Sequence, residues 1–145
     1  MTEIYKLKPT SENYCLMATI GSVSAGEPQE IEHAVEKIDL NEFVTGGSED
    51  IFMIRANGDS MEAEIKSGDW LIVNRNLQPN HGDKVIARFG NSFTVKIYAP
   101  VRNGLSLVAS NGKYAPRNIT AKDDCEIFGV VTHVLHSLKK NLRCK

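Results

Sequence analysis

A serine lies in a setting suited to nucleophilic chemistry, between Asp59 and Met61 at the end of a β-forming run. The segment ANGDSM, residues 56–61, leads through a glycine turn to Ser60. A serine at such a turn is exposed and rigidly placed, and the backbone amides of Asp59 and Ser60 can stabilise a developing oxyanion. Ser60 is therefore a candidate for attack on a carbonyl. The same residues also fit an ordinary turn in which Asp59 or Ser60 caps a following helical turn.

A lysine within an apolar strand is the candidate base for this serine. Lys96 lies in the run FTVK, residues 93–96, where burial would lower its pKa from ~10.4 toward neutrality because desolvation disfavours the charged form. A neutral amine can accept the Ser60 proton. Thr94 is two residues away and shares a strand face with Lys96, so it is a candidate for orienting the amine. A solvent-facing lysine on an amphipathic hairpin is the alternative interpretation.

The four histidines suggest no catalytic triad and no metal centre. His33 lies in the segment predicted to be an arm, and His81 lies in a predicted turn. His133 and His136 are three residues apart, which on a strand places them on opposite faces, and no Cys or carboxylate motif accompanies them. We therefore expect neither a metal nor another cofactor.

The elements that must position Ser60 and Lys96 are short β-forming runs separated by turn residues, which predicts a mainly β fold. The predicted strands are 51–56, 70–73, 84–89, 93–98, 105–109 and 127–135. Gly90-Asn91 separates two of them and is a strong hairpin signal, so 84–89 and 93–98 are predicted to be antiparallel neighbours. A helical turn is expected over 62–65.

The first 46 residues are predicted to form an arm rather than part of the catalytic domain. They contain scattered Gly and Pro, one weakly apolar stretch at 14–20 that fits a strand, and a capping pair, Asp39 and Glu42, that fits one helical turn. The predicted boundaries are an arm over 1–46, a β-rich domain over 47–138 that contains Ser60 and Lys96, and a basic, solvated tail over 139–145.

Composition limits the class of protein. The chain has 145 residues, 17 Lys+Arg against 18 Asp+Glu and 41% hydrophobic residues, values typical of one globular domain with an arm. No apolar stretch approaches the ~18–20 residues of a membrane span, and no secretory signal is visible, so we expect a cytoplasmic protein. The three cysteines, at 15, 125 and 144, are odd in number and widely spaced, which predicts free thiols.

Five motifs in order resemble the LexA/UmuD family of self-cleaving serine-lysine peptidases. They are GDSM at 58–61, GDWLIV at 68–73, HGDKV at 81–85, FTVK at 93–96 and IFGVV at 127–131. Upstream, VSAGEP at 23–28 resembles the cleavage segment of the family, and EKIDLN at 36–41 resembles the UmuD branch in particular. The resemblance covers roughly residues 20–137 and implies a LexA/signal-peptidase-like β fold with a flexible N-terminal arm.

The resemblance assigns chemical roles to residues already singled out. It implies that Ser60 is the nucleophile, that Lys96 is the general base and that Ala25-Gly26 is the scissile bond. A small residue at 25 fits a tight pocket, and Gly26 lets the backbone approach the serine closely. In isolation, the Gly- and Pro-containing segment around this bond equally fits a flexible linker.

The resemblance also implies a place in the SOS response. In that reading, cleavage is stimulated by the RecA filament on single-stranded DNA. The shortened, homodimeric product then serves as an accessory subunit of an error-prone, UmuC-like Y-family translesion polymerase. RecA would favour the conformer in which the arm occupies the cleft with Lys96 neutral.

Three other functions remain open. A LexA- or phage-type repressor or antirepressor relative is one, although the 25 residues before the predicted cut show no helix-turn-helix, so no direct sequence-specific DNA binding is expected. A signal-peptidase-like enzyme acting on other proteins shares the Ser-Lys chemistry but has a membrane anchor. A binding module with an inactive dyad is the third.

Overall fold

The computed structural model describes residues 4–7, 16–19, 26–27 and 36–139. They belong to two compact units, one formed by residues 8–49 and the other by residues 1–7 together with 50–145.

The smaller unit contains a two-stranded antiparallel sheet and one short helix. Strands β2 (Leu16–Thr19) and β3 (Glu36–Asp39) pair with Leu16 opposite Asp39, so the strand suggested within 14–20 is confirmed. Helix α1 (Leu40–Thr45) begins at Asp39, whose carboxylate accepts hydrogen bonds from the backbone N–H groups of Asn41 and Glu42. The capping role predicted for Asp39 is thereby confirmed.

The larger unit is a single eight-stranded antiparallel sheet. Its strands are β1 (Ile4–Leu7), β4 (Ile51–Arg55), β5 (Trp70–Asn74), β6 (Lys84–Phe89), β7 (Ser92–Val101), β8 (Gly104–Val108), β9 (Arg117–Ile119) and β10 (Cys125–Leu135). Their order across the sheet is β1-β4-β5-β10-β6-β7-β8-β9. All six strands predicted for this unit are present, and the mainly β fold class is confirmed.

The predicted hairpin joins β6 to β7 through Gly90-Asn91. Phe89 pairs with Ser92 next to the turn, and Val85 pairs with Lys96 further along. Because side chains alternate along a strand, this register decides the face on which each β7 residue lies. The hairpin therefore fixes where the Lys96 amine can reach.

Strand β10 joins the two halves of the sheet. Its first part pairs with β6 and its second part with β5, with register shifts between Ile127 and Gly129 and between Val131 and His133. Such bulges bend a strand and increase its twist. Gly129 sits at the first bend, where a Cβ atom would lie 2.7 Å from a Val73 methyl carbon, so only glycine fits without displacement.

Two apolar clusters form the core of the larger unit. Alternation along β6 sends Ile86 into one cluster and Val85 and Ala87 into the other. The first cluster contains Ile54, Ala56, Met61, Ile65, Leu71, Val73 and Ile86, and the second contains Val85, Ala87, Leu107 and Val130. Ala56 and Met61, which lie before and after Ser60 in the chain, are therefore anchored in the first cluster.

Three strands were not predicted, namely β1, β3 and β9. Residues 4–7 fall within the predicted arm, yet they pair with β4 at the sheet edge, Ile4 opposite Ile54.

Cys125 is a free thiol, while Cys15 and Cys144 lie outside the described residues. Among the described residues, no helix is long and apolar enough to cross a bilayer.

Candidate active site

Ser60 lies in the loop between β4 and β5, and backbone hydrogen bonds close the base of that loop. The Ala56 N–H donates to the Asp69 carbonyl at 2.8 Å, and the Gly68 N–H donates to the Ala56 carbonyl at 2.7 Å. These bonds continue the pairing of β4 with β5 beyond the last strand residues. The loop is consequently closed at its base, which restrains the position of Ser60 relative to the sheet.

The turn that carries Ser60 is held from both sides. Gly58 has φ +93°, a left-handed conformation that glycine adopts without strain. After the serine, Met61 is 2% exposed and belongs to the first apolar cluster. The predicted helical turn is present as a hydrogen-bonded turn, with the Glu62 N–H donating to the Asp59 carbonyl at 3.1 Å and the Ile65 N–H donating to the Met61 carbonyl at 2.8 Å.

The structure brings Lys96 and Ser60 together. The Lys96 Nζ atom lies 2.7 Å from the Ser60 Oγ atom, within hydrogen-bond distance, although the two residues are 36 positions apart. Lys96 is half-buried on β7, and this burial lowers the pKa of its amine below the ordinary lysine value. A lower pKa increases the fraction of neutral amine, which is the form able to accept a proton.

Thr94 is near this pair but does not bond to the amine. It lies two residues from Lys96 on β7 and pairs with Ala87. Within residues 36–139, no hydrogen bond joins the Thr94 hydroxyl to the Lys96 amine. The orienting role expected for Thr94 thus has no contact to support it, and its position suggests a wall of the neighbouring pockets.

A pocket with both apolar and polar walls opens beside Ser60. It lies between the loop that carries the serine and the start of β7. Its lining residues are Ile54, Arg55, Ala56, Asn57, Ser60, Leu71, Ile86, Phe93, Thr94 and Val95. A second pocket lies on the Lys96 side and is lined by Phe89, Ser92, Thr94, Lys96, Leu107 and Arg117. The two candidate catalytic residues therefore lie where the two pockets adjoin.

Sequence reasoning missed two residues of the loop between β8 and β9 that contact the Ser60 turn. The Tyr114 hydroxyl donates to the Asp59 carboxylate, and the centroid of the Tyr114 ring lies 5.9 Å from the Lys96 Nζ atom. Asn111 Nδ2 donates to the Asp59 carbonyl at 3.0 Å. The Asn111-Gly112 pair signals a turn in the sequence, but nothing local indicates that the turn packs on residues 50 positions earlier.

The Asp59 carboxylate affects the titration of Tyr114. Its hydrogen bond and negative charge raise the pKa of the Tyr114 phenol, because both favour the protonated form. The phenol therefore remains a hydrogen-bond donor to Asp59 at alkaline pH.

The two histidines near the C-terminus contact an aspartate and a threonine. His136 Nδ1 lies 2.5 Å from the carboxylate of Asp69, a buried residue that also accepts from the Lys66 N–H at 2.8 Å. His133 Nδ1 lies 2.9 Å from the Thr132 hydroxyl. In the part of the chain that the structure describes, no group of three or more His, Cys, Asp or Glu side chains is arranged to hold a metal ion.

The predicted cleavage segment belongs to the smaller unit. Gly26 and Glu27 are exposed and form a bend, whereas Ala25 lies outside the described residues.

Comparison with known proteins identifies the family. Residues 18–132 match the family model described as Peptidase S24-like, which is most of the chain. The chain belongs to this family, the LexA/UmuD group to which its motifs point, and is a UmuD-like member. Membership makes it a self-cleaving serine peptidase of the SOS type.

Individual relatives agree with this placement. The chain is 37% identical over 111 residues to Protein ImpA of Salmonella typhimurium and of Escherichia coli, which covers 75% of this chain and 74% of theirs. It is 33% identical over 126 residues to the LexA repressor of Sorangium cellulosum, which covers 84% of this chain and 55% of that protein.

Proposed function

We propose that this chain cuts its own Ala25-Gly26 bond, or that of a second copy, with Ser60 as nucleophile and Lys96 as general base. The observation that carries the proposal is the 2.7 Å distance between Lys96 Nζ and Ser60 Oγ, together with the burial that lowers the pKa of the amine. Histidine is not required, because a neutral amine at hydrogen-bond distance removes the hydroxyl proton directly.

The reaction proceeds in two balanced steps. Ser60 Oγ attacks the carbonyl carbon of Ala25 while its proton passes to the Lys96 amine, and the resulting ammonium then protonates the departing Gly26 nitrogen. This leaves an acyl-enzyme at Ser60. A water molecule, deprotonated by Lys96, attacks the ester carbon. The proton then passes from Lys96 to Ser60 Oγ as the Ala25 carboxylic acid leaves, and that acid ionises by releasing its proton to solvent.

Two backbone amides support stabilisation of the tetrahedral intermediates. Among the described residues, the N–H groups of Asp59 and Ser60 donate to no protein acceptor. They belong to the turn that holds the nucleophile, which supports a role as donors to the oxygen on the carbon that Ser60 attacks. The preorganised amide dipoles would stabilise the oxyanion without reorganising during the reaction.

The pocket beside Ser60 supports a small residue before the cleaved bond. Its apolar walls, which include Ile54 and Val95, suit a side chain such as that of Ala25. Gly26 has no side chain to obstruct approach of the backbone to the nucleophile. In this proposal the arm over 1–46 carries the substrate segment and residues 47–138 act on it, while the basic tail over 139–145 takes no part in the chemistry.

The biological output proposed for this cleavage is activation of translesion synthesis. UmuD-like family membership and the EKIDLN segment at 36–41 support a cytoplasmic homodimer whose shortened form serves as accessory subunit of a UmuC-like Y-family DNA polymerase. The RecA filament on single-stranded DNA is the proposed trigger. It would supply no catalytic group and would favour the cleavage-competent conformer.

Intact-mass spectrometry tests the chemical part of the proposal. The purified protein is incubated at neutral pH, at alkaline pH, and at neutral pH with RecA, single-stranded DNA and nucleotide. We expect loss of residues 1–25 at alkaline pH and with the filament, because high pH deprotonates Lys96 directly. Ser60→Ala and Lys96→Ala should remain intact under all conditions, and Gly26→Asp should block cleavage while leaving Ser60 and Lys96 in place.

The outcomes separate the candidate functions. Wild-type cleavage together with an inert Ser60→Ala supports the proposal, whereas unchanged cleavage in Lys96→Ala would rule out the dyad. A constant mass under every condition would favour a binding module with an inactive dyad. Co-purification of the cleaved form with a Y-family polymerase tests the accessory role, and sequence-specific DNA retention would instead favour a repressor relative.

A further inference from the structure

Asn111 makes two hydrogen bonds to the nucleophile turn. Its Nδ2 atom donates to the Asp59 carbonyl at 3.0 Å, and its backbone N–H donates to the Ser60 carbonyl at 2.9 Å. Its Oδ1 atom accepts from the Lys113 N–H at 3.1 Å, which fixes the side chain by a local turn. Asn111 therefore holds the peptide groups on both sides of Ser60 and is itself held in place.

These bonds determine the direction of the Ser60 amide. In a planar trans peptide, the carbonyl of Asp59 and the N–H of Ser60 point in opposite directions. The Asp59 carbonyl is fixed by two donors, the Asn111 side chain and the Glu62 N–H at 3.1 Å. The Ser60 N–H must consequently point away from Asn111, and within residues 36–139 it donates to no protein group.

We propose that Asn111 is a positioning residue that aims the Ser60 N–H at the oxygen of the scissile carbonyl. This inference rests on the proposed self-cleavage and adds to it a residue that acts on the oxyanion rather than on the base. No hydrogen bond joins Asn111 to Lys96 among the described residues. Loss of the Asn111 amide should therefore lower the rate of the chemical step without altering the titration of Lys96.

Asn111→Asp removes the relevant donor and keeps the size of the side chain, but it adds a negative charge. The carboxylate keeps the oxygen that accepts from the Lys113 N–H but can no longer donate to the Asp59 carbonyl. Asn111→Ala is the uncharged companion variant. Asn118→Asp is the matched control, because Asn118 is exposed on β9 and the same charge is introduced without loss of a side-chain hydrogen bond found in the described structure.

The rate of self-cleavage is measured by intact mass from neutral to alkaline pH. We expect both Asn111 variants to reach a plateau rate at least about tenfold below the wild type, since misaligned oxyanion donors are costly. The pH at half-maximal rate of Asn111→Ala should match that of the wild type, and Asn118→Asp should behave as the wild type. The half-maximal pH of Asn111→Asp should be higher, because the new carboxylate favours the charged form of the nearby Lys96 amine. Thermal unfolding of each substitution in a Ser60→Ala background shows whether the domain remains folded.

Three results would overturn the positioning role. The first is a wild-type plateau in both Asn111 variants. The second is a shifted pH midpoint with an unchanged plateau in Asn111→Ala, which would mean that Asn111 acts through Lys96. The third is a rate loss that merely follows a loss of folded protein.

Labelling of Ser60 with a fluorophosphonate distinguishes a failure of the positioning role of Asn111 from a failure of the proposed self-cleavage. In this reaction Ser60 Oγ bonds to phosphorus, fluoride leaves, the proton passes to Lys96, and the phosphoryl oxygen occupies the oxyanion position. If the wild type is labelled but does not cut itself, the proposed self-cleavage fails. Slower labelling of both Asn111 variants then still supports the positioning role, and equal labelling refutes it. If the wild type neither cuts itself nor is labelled, both proposals fail.

Discussion

The pH dependence of self-cleavage follows from the environment of Lys96. At pH 7, an amine with an ordinary pKa of ~10.4 is neutral in about one molecule in 2,500. Burial lowers the pKa of Lys96, and each unit of lowering increases the neutral fraction about tenfold. The cleavage rate should therefore rise about tenfold per pH unit at low pH. It should reach half of its maximum at a pH below 10.4 and level off above that pH.

A time course of intact mass at half-unit pH intervals measures this midpoint. Tyr114 is the other titratable group near the amine, and because its pKa is raised, the break in the profile should not come from its phenol. Tyr114→Phe, which keeps the ring and removes the titration, should show the same midpoint as the wild type. A midpoint at or above 10.4, or one that moves when the phenol is removed, would refute the reasoning.

The same burial predicts a pH dependence of stability. Because the folded pKa of Lys96 is lowered, the unfolded chain binds more protons between the folded and the unfolded pKa values, so stability should rise with pH across that interval. Lys96→Met should remove this contribution. Urea unfolding in a Ser60→Ala background, in which the chain cannot cut itself, compares the two slopes. Identical slopes would show that Lys96 is not effectively buried.

Three further substitutions test how the site is supported. Gly129→Ala would place a Cβ atom 2.7 Å from a Val73 methyl carbon and 3.0 Å from a backbone carbonyl oxygen, so we expect a loss of about 1–3 kcal/mol in urea unfolding; an unchanged midpoint would mean that β10 shifts freely at its bend. Met61→Ala removes a 2%-exposed anchor and should cost about 2–5 kcal/mol and slow cleavage, whereas a stable but equally active variant would contradict the anchoring role. Asp69→Ala leaves the Lys66 N–H and His136 without their carboxylate partner, for which we expect about 1–3 kcal/mol by thermal unfolding, and a gain in stability would argue against that pairing.

The sequence predicted those strands and turns whose conformation is determined by residues close to one another in the chain. Alternation and turn residues indicated six of the strands, and Gly90-Asn91 indicated the hairpin that places Lys96 on its face. Strand β9 was not predicted because its three residues, Arg117–Ile119, are too few to show an alternating pattern. Strand β1 was not predicted because it is an edge strand, and its pairing partner β4 lies almost 50 residues later in the sequence.

The candidate site was predictable only in part, for the same physical reason. Ser60 and Lys96 were identifiable from residue type and setting, but their distance of 2.7 Å depends on how β4, β7 and their loops are placed by the sheet. The contacts of Asn111 and Tyr114 with Asp59 arise from a loop more than 50 residues away. Such long-range contacts leave no periodic signal, so the support for the nucleophile turn became visible only in the structure.

The central place of β10 bears on when the protein becomes able to cut itself during synthesis. β5, which follows the Ser60 loop, and β6, which leads into the Lys96 strand, do not pair with each other, and β10 lies between them. A ribosome that adds ~5–20 residues per second makes residue 135 about 2–8 s after residue 96. Until β10 emerges, the two halves of the sheet lack their shared strand. We therefore expect that Ser60 and Lys96 are not held together in the nascent chain before β10 has been made.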